Sequence, residues 1–227
     1  MTQTTHYARP VDTSDFTEIV RAGPSLLDVR GHICAFFHSA DEEYRVLIPF
    51  IRDGIALGDH ALHIVDPARR EDHLRRLREA GIDVDAAAAT GQFELLDWTQ
   101  AHLRAGHFDA EQMVQVVATA REHSDRHGFH RTRYVTHMEW ALSDGSATER
   151  LAEYEANANE SVAKAGDAVI CVYNFPKWGG QALVDAIRTH PLVIVGGYLH
   201  ENPFYQPAAE FLSEERATRS GCRACAR

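Results

Sequence analysis

Short apolar runs alternate with amphipathic stretches of helical spacing over most of this chain, and this alternation is what most limits its possible folds. A buried run at 32–38 leads into a helical pattern that ends at Gly58, and a second run at 60–66 leads into a helix at 69–80. Strands that alternate with helices of this length need crossover connections, which favour parallel strands with helices on both faces of the sheet. We therefore predict a three-layer α/β fold with a mostly parallel central sheet.

The same pattern continues to about residue 198. The further strands are predicted at 92–98, 133–140, 167–173 and 191–198, and the further helices at 110–127, 146–165 and 180–189. Both ends of the chain are polar and lack this periodicity. We expect a mobile N-terminal arm over 1–28, a folded domain over 29–212 and a flexible C-terminal tail over 213–227.

Charge and composition exclude several classes of function. The net charge of −10 argues against broad adhesion to nucleic acid or to an anionic membrane. No apolar run is long enough for a signal peptide or a membrane span, so a cytoplasmic location is expected, with the four cysteines reduced.

The turn after the first strand stands where an α/β nucleotide-binding protein carries its phosphate loop. It has no glycine run and no Gly-Lys-Ser/Thr ending, and it carries Asp41, Glu42 and Glu43, which would repel a polyphosphate. ATP hydrolysis is therefore not expected. The carboxylates either begin a helix behind Ser39 as its N-cap, or Glu42 or Glu43 reaches into a pocket; the sequence leaves both open.

In parallel α/β sheets, ligands bind at the carboxyl ends of the strands. Aromatic side chains at predicted strand ends are candidate walls of an apolar pocket: Phe37, Trp98, Trp140 and Tyr173. Candidate polar anchors are His32, Glu43, His137 and Glu139, with Arg133 or His137 as a partner for Glu139. Core packing and structural ion pairs are the competing interpretations for these residues.

Two residues also suggest a metal. His32 and Cys34 are two residues apart on a strand, so their side chains share a face. This placement suits binding of one metal ion by both side chains, or a thiol whose pKa is shifted by the imidazole. With His137 and Glu139 they would hold a divalent ion that polarises water. Otherwise His32 is a hydrogen-bonded strand residue and Cys34 a small core residue. Cys222 and Cys225 have CxxC spacing but lie in a terminal tail without a second pair, so a tail without a metal site is favoured.

Several spaced motifs resemble the MEDS family, the sensory domain named after the methanogen and methylotroph regulator DcmR. They are Gly31-His32-Ile33-Cys34, Pro49-Phe50-Ile51 with Gly54 and Gly58, Glu139-Trp140-Ala141, Tyr154-Glu155, Cys171-Val172-Tyr173, His190-Pro191 and Asn202-Pro203-Phe204-Tyr205. The resemblance implies a RecA/KaiC-like core without a Walker A loop, a sensing role, and binding of small apolar molecules such as hydrocarbon derivatives.

We therefore expect a non-catalytic sensory module that binds a small, largely apolar molecule at the carboxyl edge of the sheet. Motion of the 38–43 turn would pass the signal to a regulatory protein partner. Self-association into a homo-oligomer is compatible with this role. No helix-turn-helix segment is apparent outside 29–212, so direct binding to nucleic acid is not expected. The alternatives are a metal-binding protein or metal-dependent enzyme, and a pure interaction module in a sigma-factor or kinase pathway.

Overall fold

The computed structural model describes residues 29–143 and 147–225, and its centre is a mixed β-sheet. The strands are β1 (Gly31–Phe37), β2 (His60–Val65), β3 (Phe93–Asp97), β4 (Thr132–His137), β5 (Ala168–Asn174), β6 (Leu192–Val195) and β7 (Tyr198–Glu201). Their order across the sheet is β3-β2-β4-β5-β1-β6-β7, and every neighbouring pair is parallel except β6 with β7. The predicted mostly parallel α/β fold is confirmed.

Helices cover both faces of this sheet. They are α1 (Ala40–Ala56), α2 (Arg70–Glu79), α3 (Val84–Ala89), α4 (Ala110–His127), α5 (Trp140–Ser143), α6 (Ala147–Ala165), α7 (Gly180–Thr189) and α8 (Ala208–Cys225). Short 3-10 turns at Pro67–Arg69 and Phe175–Lys177 follow β2 and β5. Within the described ranges, none of the helices is both long and apolar enough to cross a membrane.

The direction of the connections decides which face each helix covers. From β1 the chain steps to β2 and then β3 in one direction, and after β3 it returns through β4, β5 and β6 in the other. Because crossovers are right-handed, this reversal moves the helices to the opposite face. One core cluster accordingly packs α1, α2 and α3 against one face, and a second packs α4 to α7 against the other. We call these the α1 face and the α6 face.

Two strand predictions were wrong in detail. The strand predicted at 133–140 ends at His137, because Met138 begins a turn that the N–H groups of Ala141 and Leu142 close onto Met138 and Glu139. The strand predicted at 191–198 is a hairpin of β6 and β7. Gly196 and Gly197 both have positive φ, 60° and 85°, as the tightest hairpin turns require.

The C-terminal segment also differs from its prediction as a flexible tail. It is helical as far as residue 225, in α8, whose Phe211 is fully buried and lies under the guanidinium of Arg188. Arg188 also pairs with Glu214. Cys222 and Cys225 fall in this helix, but their side chains lie outside the described part, as does the whole predicted arm over 1–28.

Candidate functional site

A cavity of about 510 Å³ lies on the α6 face, between the sheet, α4 and α6. Its floor is formed by strand residues Leu62, Ile64, Tyr134, Thr136 and Val169. Its walls are mostly apolar side chains of the two helices, which include Met113, Val116, Val117, Tyr154, Ala158 and Val162. This volume falls in the range of small-molecule sites, which are typically apolar with a few convergent polar groups.

The polar groups converge at the deep end of the cavity. His32 of β1, Glu155 of α6 and Cys171 of β5 line it there and are at most 2% exposed. His32 Nε2 lies 3.0 Å from Glu155 Oε2 and 3.2 Å from Cys171 Sγ. His190, just after α7, adds its Nε2 at 3.2 Å from the same Glu155 oxygen. We call these four residues the deep cluster.

Burial and neighbouring charge set the protonation of the deep cluster. Burial raises the pKa of Glu155, but the imidazoles of His190 and His32 beside its Oε2 outweigh burial, so the pKa lies well below its usual range. Burial, with His32 alongside, lowers the pKa of His190. Burial and the nearby Glu155 carboxylate raise the pKa of the Cys171 thiol well above its ordinary value. At neutral pH the cluster thus contains a carboxylate, a neutral His190 and a thiol.

His102 is a further polar residue on the cavity wall. Its ring stacks on Trp140, with the centroids 4.5 Å apart, and its Nδ1 has no hydrogen-bond partner among the described residues. Complete burial lowers the pKa of His102 to about 3. A neutral, unpartnered imidazole on an apolar wall is free to hydrogen-bond to a bound molecule.

The carboxyl edge of the sheet, where the ligand was predicted, holds a different arrangement. Glu43 of α1 is buried, and Arg69 donates to both of its carboxylate oxygens at 2.9 and 3.0 Å. His137 at the end of β4 donates Nε2–H to Glu43 at 3.1 Å, while its Nδ1 accepts from the N–H of Asp66 at 3.5 Å. Burial raises the pKa of Glu43, but the bonds and charges of His137 and Arg69 bring it below its usual value. These three residues form an ion-paired group at this edge.

A chain of hydrogen bonds extends this group along the α1 face. Hydrogen bonds join the hydroxyl of Tyr44 to His73 Nδ1 at 2.7 Å and His73 Nε2 to His63 Nδ1 at 2.9 Å. Burial, with the charges of His137 and His60, lowers the pKa of His63 to about 3, and burial with His63 beside it lowers the pKa of His73. Both rings are therefore neutral near pH 7, and together with Glu43 they hold α1 and α2 to the sheet.

Asp41, Glu42 and Glu43, the three carboxylates of the 38–43 turn (the acidic turn), have three different roles. Ser39 accepts from the N–H of Glu42, and Glu42 Oε2 accepts in return from the N–H of His38 at 2.8 Å, one residue before the N-cap whose N–H a capping box would use. Asp41 pairs with Arg76 on the surface. Glu43 alone turns inward. The turn thus begins a helix behind Ser39, as one interpretation had it, while Glu43 is buried in an ion pair and does not line the cavity.

The eight residues predicted to bind ligand do not meet in one site. His32 lines the cavity. Glu43, Trp98, His137 and Glu139 gather at the carboxyl edge, where the Trp98 indole donates to His137 O at 3.2 Å and Glu139 accepts from the N–H of Asn174 at 2.7 Å. Of the two partners predicted for Glu139, Arg133 instead pairs with Asp59 at 2.7 Å, and His137 with Glu43 at 3.1 Å.

The remaining three predicted residues are core aromatics. Phe37 packs in the core of the α1 face. Trp140 and Tyr173 pack on the α6 face beside the cavity but do not line it. All three are at most 1% exposed.

The predicted metal set does not converge. His32 and Cys34 do face the same side, the α6 face, but Cys34 Sγ lies 3.7 Å from Leu192 O and outside the deep cluster. His137 lies on the α1 face with Glu43, because its neighbour in β5, Val172, packs there. These residues cannot hold a single ion together with His32, and the thiol beside His32 is that of Cys171.

The predicted ligand-binding set did not include Glu155, Cys171, His190 or His102, although the first three stand in the motifs that resemble the MEDS family. His32 and Cys171 are 139 residues apart in sequence. A signal was present, because β1 and β5 were both predicted as buried strands, each with a cysteine. The parallel register that places Cys34 directly opposite Cys171 is visible only in the fold.

Comparisons with known proteins agree with these motifs. The sequence model of the MEDS family, described as the methanogen/methylotroph DcmR sensory domain, matches residues 31–191. A curated relative, the transcriptional repressor DcmR of Methylorubrum extorquens, is 25% identical over 162 residues, which are 70% of this chain. The aligned part covers 57% of that repressor, so this chain spans little more than half of its length.

Proposed function

Because this chain belongs to the MEDS family of sensory domains, with a sensory and regulatory role, we propose that it detects a small, largely apolar molecule in the cavity between α4, α6 and the sheet. The observation that carries this proposal is the cavity itself. A partly open space of about 510 Å³ has mostly apolar walls, and transfer of an apolar molecule from water to such walls is favourable.

The polar groups of the cavity limit the ligand further. His102 offers one unpartnered ring nitrogen, and the deep cluster ends the cavity with a carboxylate and a thiol. A molecule with one polar or polarisable end and an apolar body suits this distribution better than a sugar or a nucleotide, which would leave many polar groups unpaired. Hydrocarbon derivatives of that kind are the proposed class.

The regulatory output is proposed to reach a partner protein through movement of α4 or α6. These two helices form the cavity walls, whereas the sheet is the rigid floor. A ligand that changes the spacing of the helices biases the conformational equilibrium of the protein by its difference in affinity for the two states. The 38–43 turn lies behind the sheet, on the α1 face, and is the second candidate for a responding segment.

Binding can be tested with benzene as an apolar probe, using isothermal titration and the thermal unfolding midpoint. The wild-type protein should bind benzene and unfold at a higher midpoint. Ala158→Trp, which fills the cavity from α6, should lose both effects. Ala163→Trp, on an exposed position of the same helix, should retain them. Equal benzene binding by the two variants would exclude this cavity as the binding site.

Hydrogen exchange of the same samples tests the sensory part. Benzene should slow amide exchange in α4 and α6, and the 38–43 turn should change if it carries the signal. Binding without any change in exchange outside the cavity lining would remove the proposed output.

A further inference from the structure

The deep cluster has the composition and spacing of a metal site. We propose that His32, Glu155, Cys171 and His190 bind a divalent transition metal ion of the zinc type at the closed end of the cavity. This goes beyond the sensory proposal and stands or fails separately from it. The donors are two imidazoles, one thiol and one carboxylate, which are the ligand types that zinc takes in proteins.

The distances between donor atoms fit one ion. All four donor atoms lie within 4.8 Å of one another, and the closest pairs are 3.0 to 3.6 Å apart. With bonds of about 2.0–2.1 Å to nitrogen or oxygen and about 2.3 Å to sulfur, the edges of a tetrahedron are about 3.3–3.7 Å. Small rotations of the side chains would therefore allow one ion to reach all four atoms.

Both imidazoles are oriented as metal ligands usually are. Asn159 donates its Nδ2–H groups to backbone carbonyls such as Thr189 O, at 2.7 Å, so its Oδ1 is the atom that faces His32 Nδ1 at 3.2 Å. His32 must then donate from Nδ1. His190 Nδ1 likewise donates to Ala186 O at 2.7 Å. A metal-binding histidine typically donates its other ring N–H to such an acceptor, which aims its free nitrogen at the ion.

This orientation directs both Nε2 atoms at one carboxylate oxygen. His32 Nε2 and His190 Nε2 lie 3.0 and 3.2 Å from Glu155 Oε2, and each contact needs a proton or a cation between the two atoms. The other carboxylate oxygen, Glu155 Oε1, and His190 Nε2 have no hydrogen-bond partner among the described residues. In a fully buried place such an arrangement is costly unless a cation or protons lie between the atoms. A divalent ion would satisfy the carboxylate and both nitrogens together.

The donor set also indicates the class of ion. Sulfur and imidazole nitrogen favour zinc and its neighbours in the first transition row over magnesium or calcium, which need oxygen ligands. On binding, the Sγ–metal bond replaces the S–H bond of Cys171, and the proton leaves to solvent. His32, Glu155 and Cys171 all line the cavity, which gives the ion a path of entry from between α4 and α6.

A second group of possible ligands needs a control. His60, Glu94 and His123 also lie within 4.8 Å of one another, but they include no sulfur and two of them are partly exposed. A spectroscopic signal that requires a thiolate separates the two groups.

Cobalt(II) is the probe, added to the chelator-stripped full-length chain that carries Cys222→Ser and Cys225→Ser, under reducing conditions. We expect one equivalent to produce tetrahedral d–d absorption with a thiolate-to-cobalt charge-transfer band, and zinc to displace it. Cys171→Ser should abolish the charge-transfer band, and Glu155→Gln should weaken cobalt binding at least ten-fold. Cys34→Ser is the matched control, because Cys34 lies directly opposite Cys171 in the neighbouring strand and should leave the spectrum unchanged.

The same titration of the Cys222→Ser/Cys225→Ser parent decides the proposal even if the Cys171 variant does not fold. Absence of a charge-transfer band in that parent would overturn it, as would an unchanged band in Cys171→Ser. Loss of the band in Cys34→Ser but not in Cys171→Ser would place the metal elsewhere. The benzene titrations of the wild-type protein, Ala158→Trp and Ala163→Trp are carried out without metal. A failure of the benzene test is therefore distinguishable from a failure of the cobalt test.

Discussion

Two buried glutamates on opposite faces of the sheet are held by histidines in very different ways. On the α1 face, Glu43 receives a guanidinium on both oxygens and a hydrogen bond from His137. On the α6 face, Glu155 has two histidines and a thiol around one oxygen, and no hydrogen-bond partner among the described residues for the other. The guanidinium of Arg69 balances the charge of Glu43, whereas the ion-pair partners of Glu155 are the imidazoles of His32 and His190.

This difference distinguishes the Glu43 group, which is structural, from the deep cluster, which is a candidate binding group. In the sequence the two look alike, because each consists of a glutamate and a histidine near a strand. What distinguishes them is whether each buried donor and acceptor has found its partner within the chain. The Glu43 group ties α1 and α2 to the edge of the sheet, and the deep cluster lies at the end of a cavity.

Substitution of the two glutamates by glutamine should expose this contrast most strongly. Glu43→Gln leaves Arg69 without its carboxylate and should lower the free energy of unfolding by about 3–5 kcal/mol. Glu155→Gln supplies an amide N–H to the facing imidazole nitrogens and should cost less than about 1 kcal/mol in metal-free protein. Urea unfolding with a chelator present measures both, and equal losses would contradict the comparison.

Acidification should unfold the protein through buried histidines on both faces. His63 and His102 have folded pKa values of about 3 against 6.5 for an exposed ring, so below pH 6.5 only the unfolded chain takes up their protons. Stability from each ring is present in full above pH 6.5 and is lost at about 1.4 kcal/mol per pH unit as the pH falls toward 3.

The loss between pH 7 and pH 5 should thus be about 2 kcal/mol for each of these rings. His102→Gln and His63→Gln should each reduce it by that amount in urea unfolding. If His102→Gln leaves the pH dependence of the free energy of unfolding unchanged while His63→Gln weakens it, then His102 is not held neutral in the folded protein.

The acidic turn gives the smallest effects and tests whether Glu43 differs from its neighbours. Ser39→Ala removes the cap of α1 and should cost about 1 kcal/mol. Asp41→Ala breaks an exposed ion pair with Arg76 and should cost less than about 0.5 kcal/mol. A loss after Asp41→Ala as large as that of Glu43→Gln would show that the turn acts as one unit.

The sequence predicted the layers of this fold because strand and helix periodicities are local. It failed where a local pattern had two solutions. The run at 191–198 is apolar throughout, and only the Gly196-Gly197 pair signals that it folds back as a hairpin. The sequence after 207 has few large apolar residues, yet Phe211 is fully buried and packs against Arg188 of α7.

The candidate site was harder to predict because it depends on contacts between distant segments. Strand alternation placed His32 and Cys34 on one face, and they are on one face. It could not show that β5 lies next to β1, that α6 brings Glu155 over that pair, or that His190 approaches from the end of α7. The rule that ligands bind at strand ends led to the carboxyl edge, where Arg69 and Glu43 already occupy the space.

The side chains that α4 contributes to the cavity wall can be exchanged without altering the deep cluster. Met113, Val116 and Val117 face the cavity from a helix that supplies none of the deep cluster. Exchange of these side chains for larger or smaller ones reshapes the chamber while the sheet and its buried histidines stay as they are. Under the proposed function, a small combinatorial library at these three positions should change which molecule the cavity prefers.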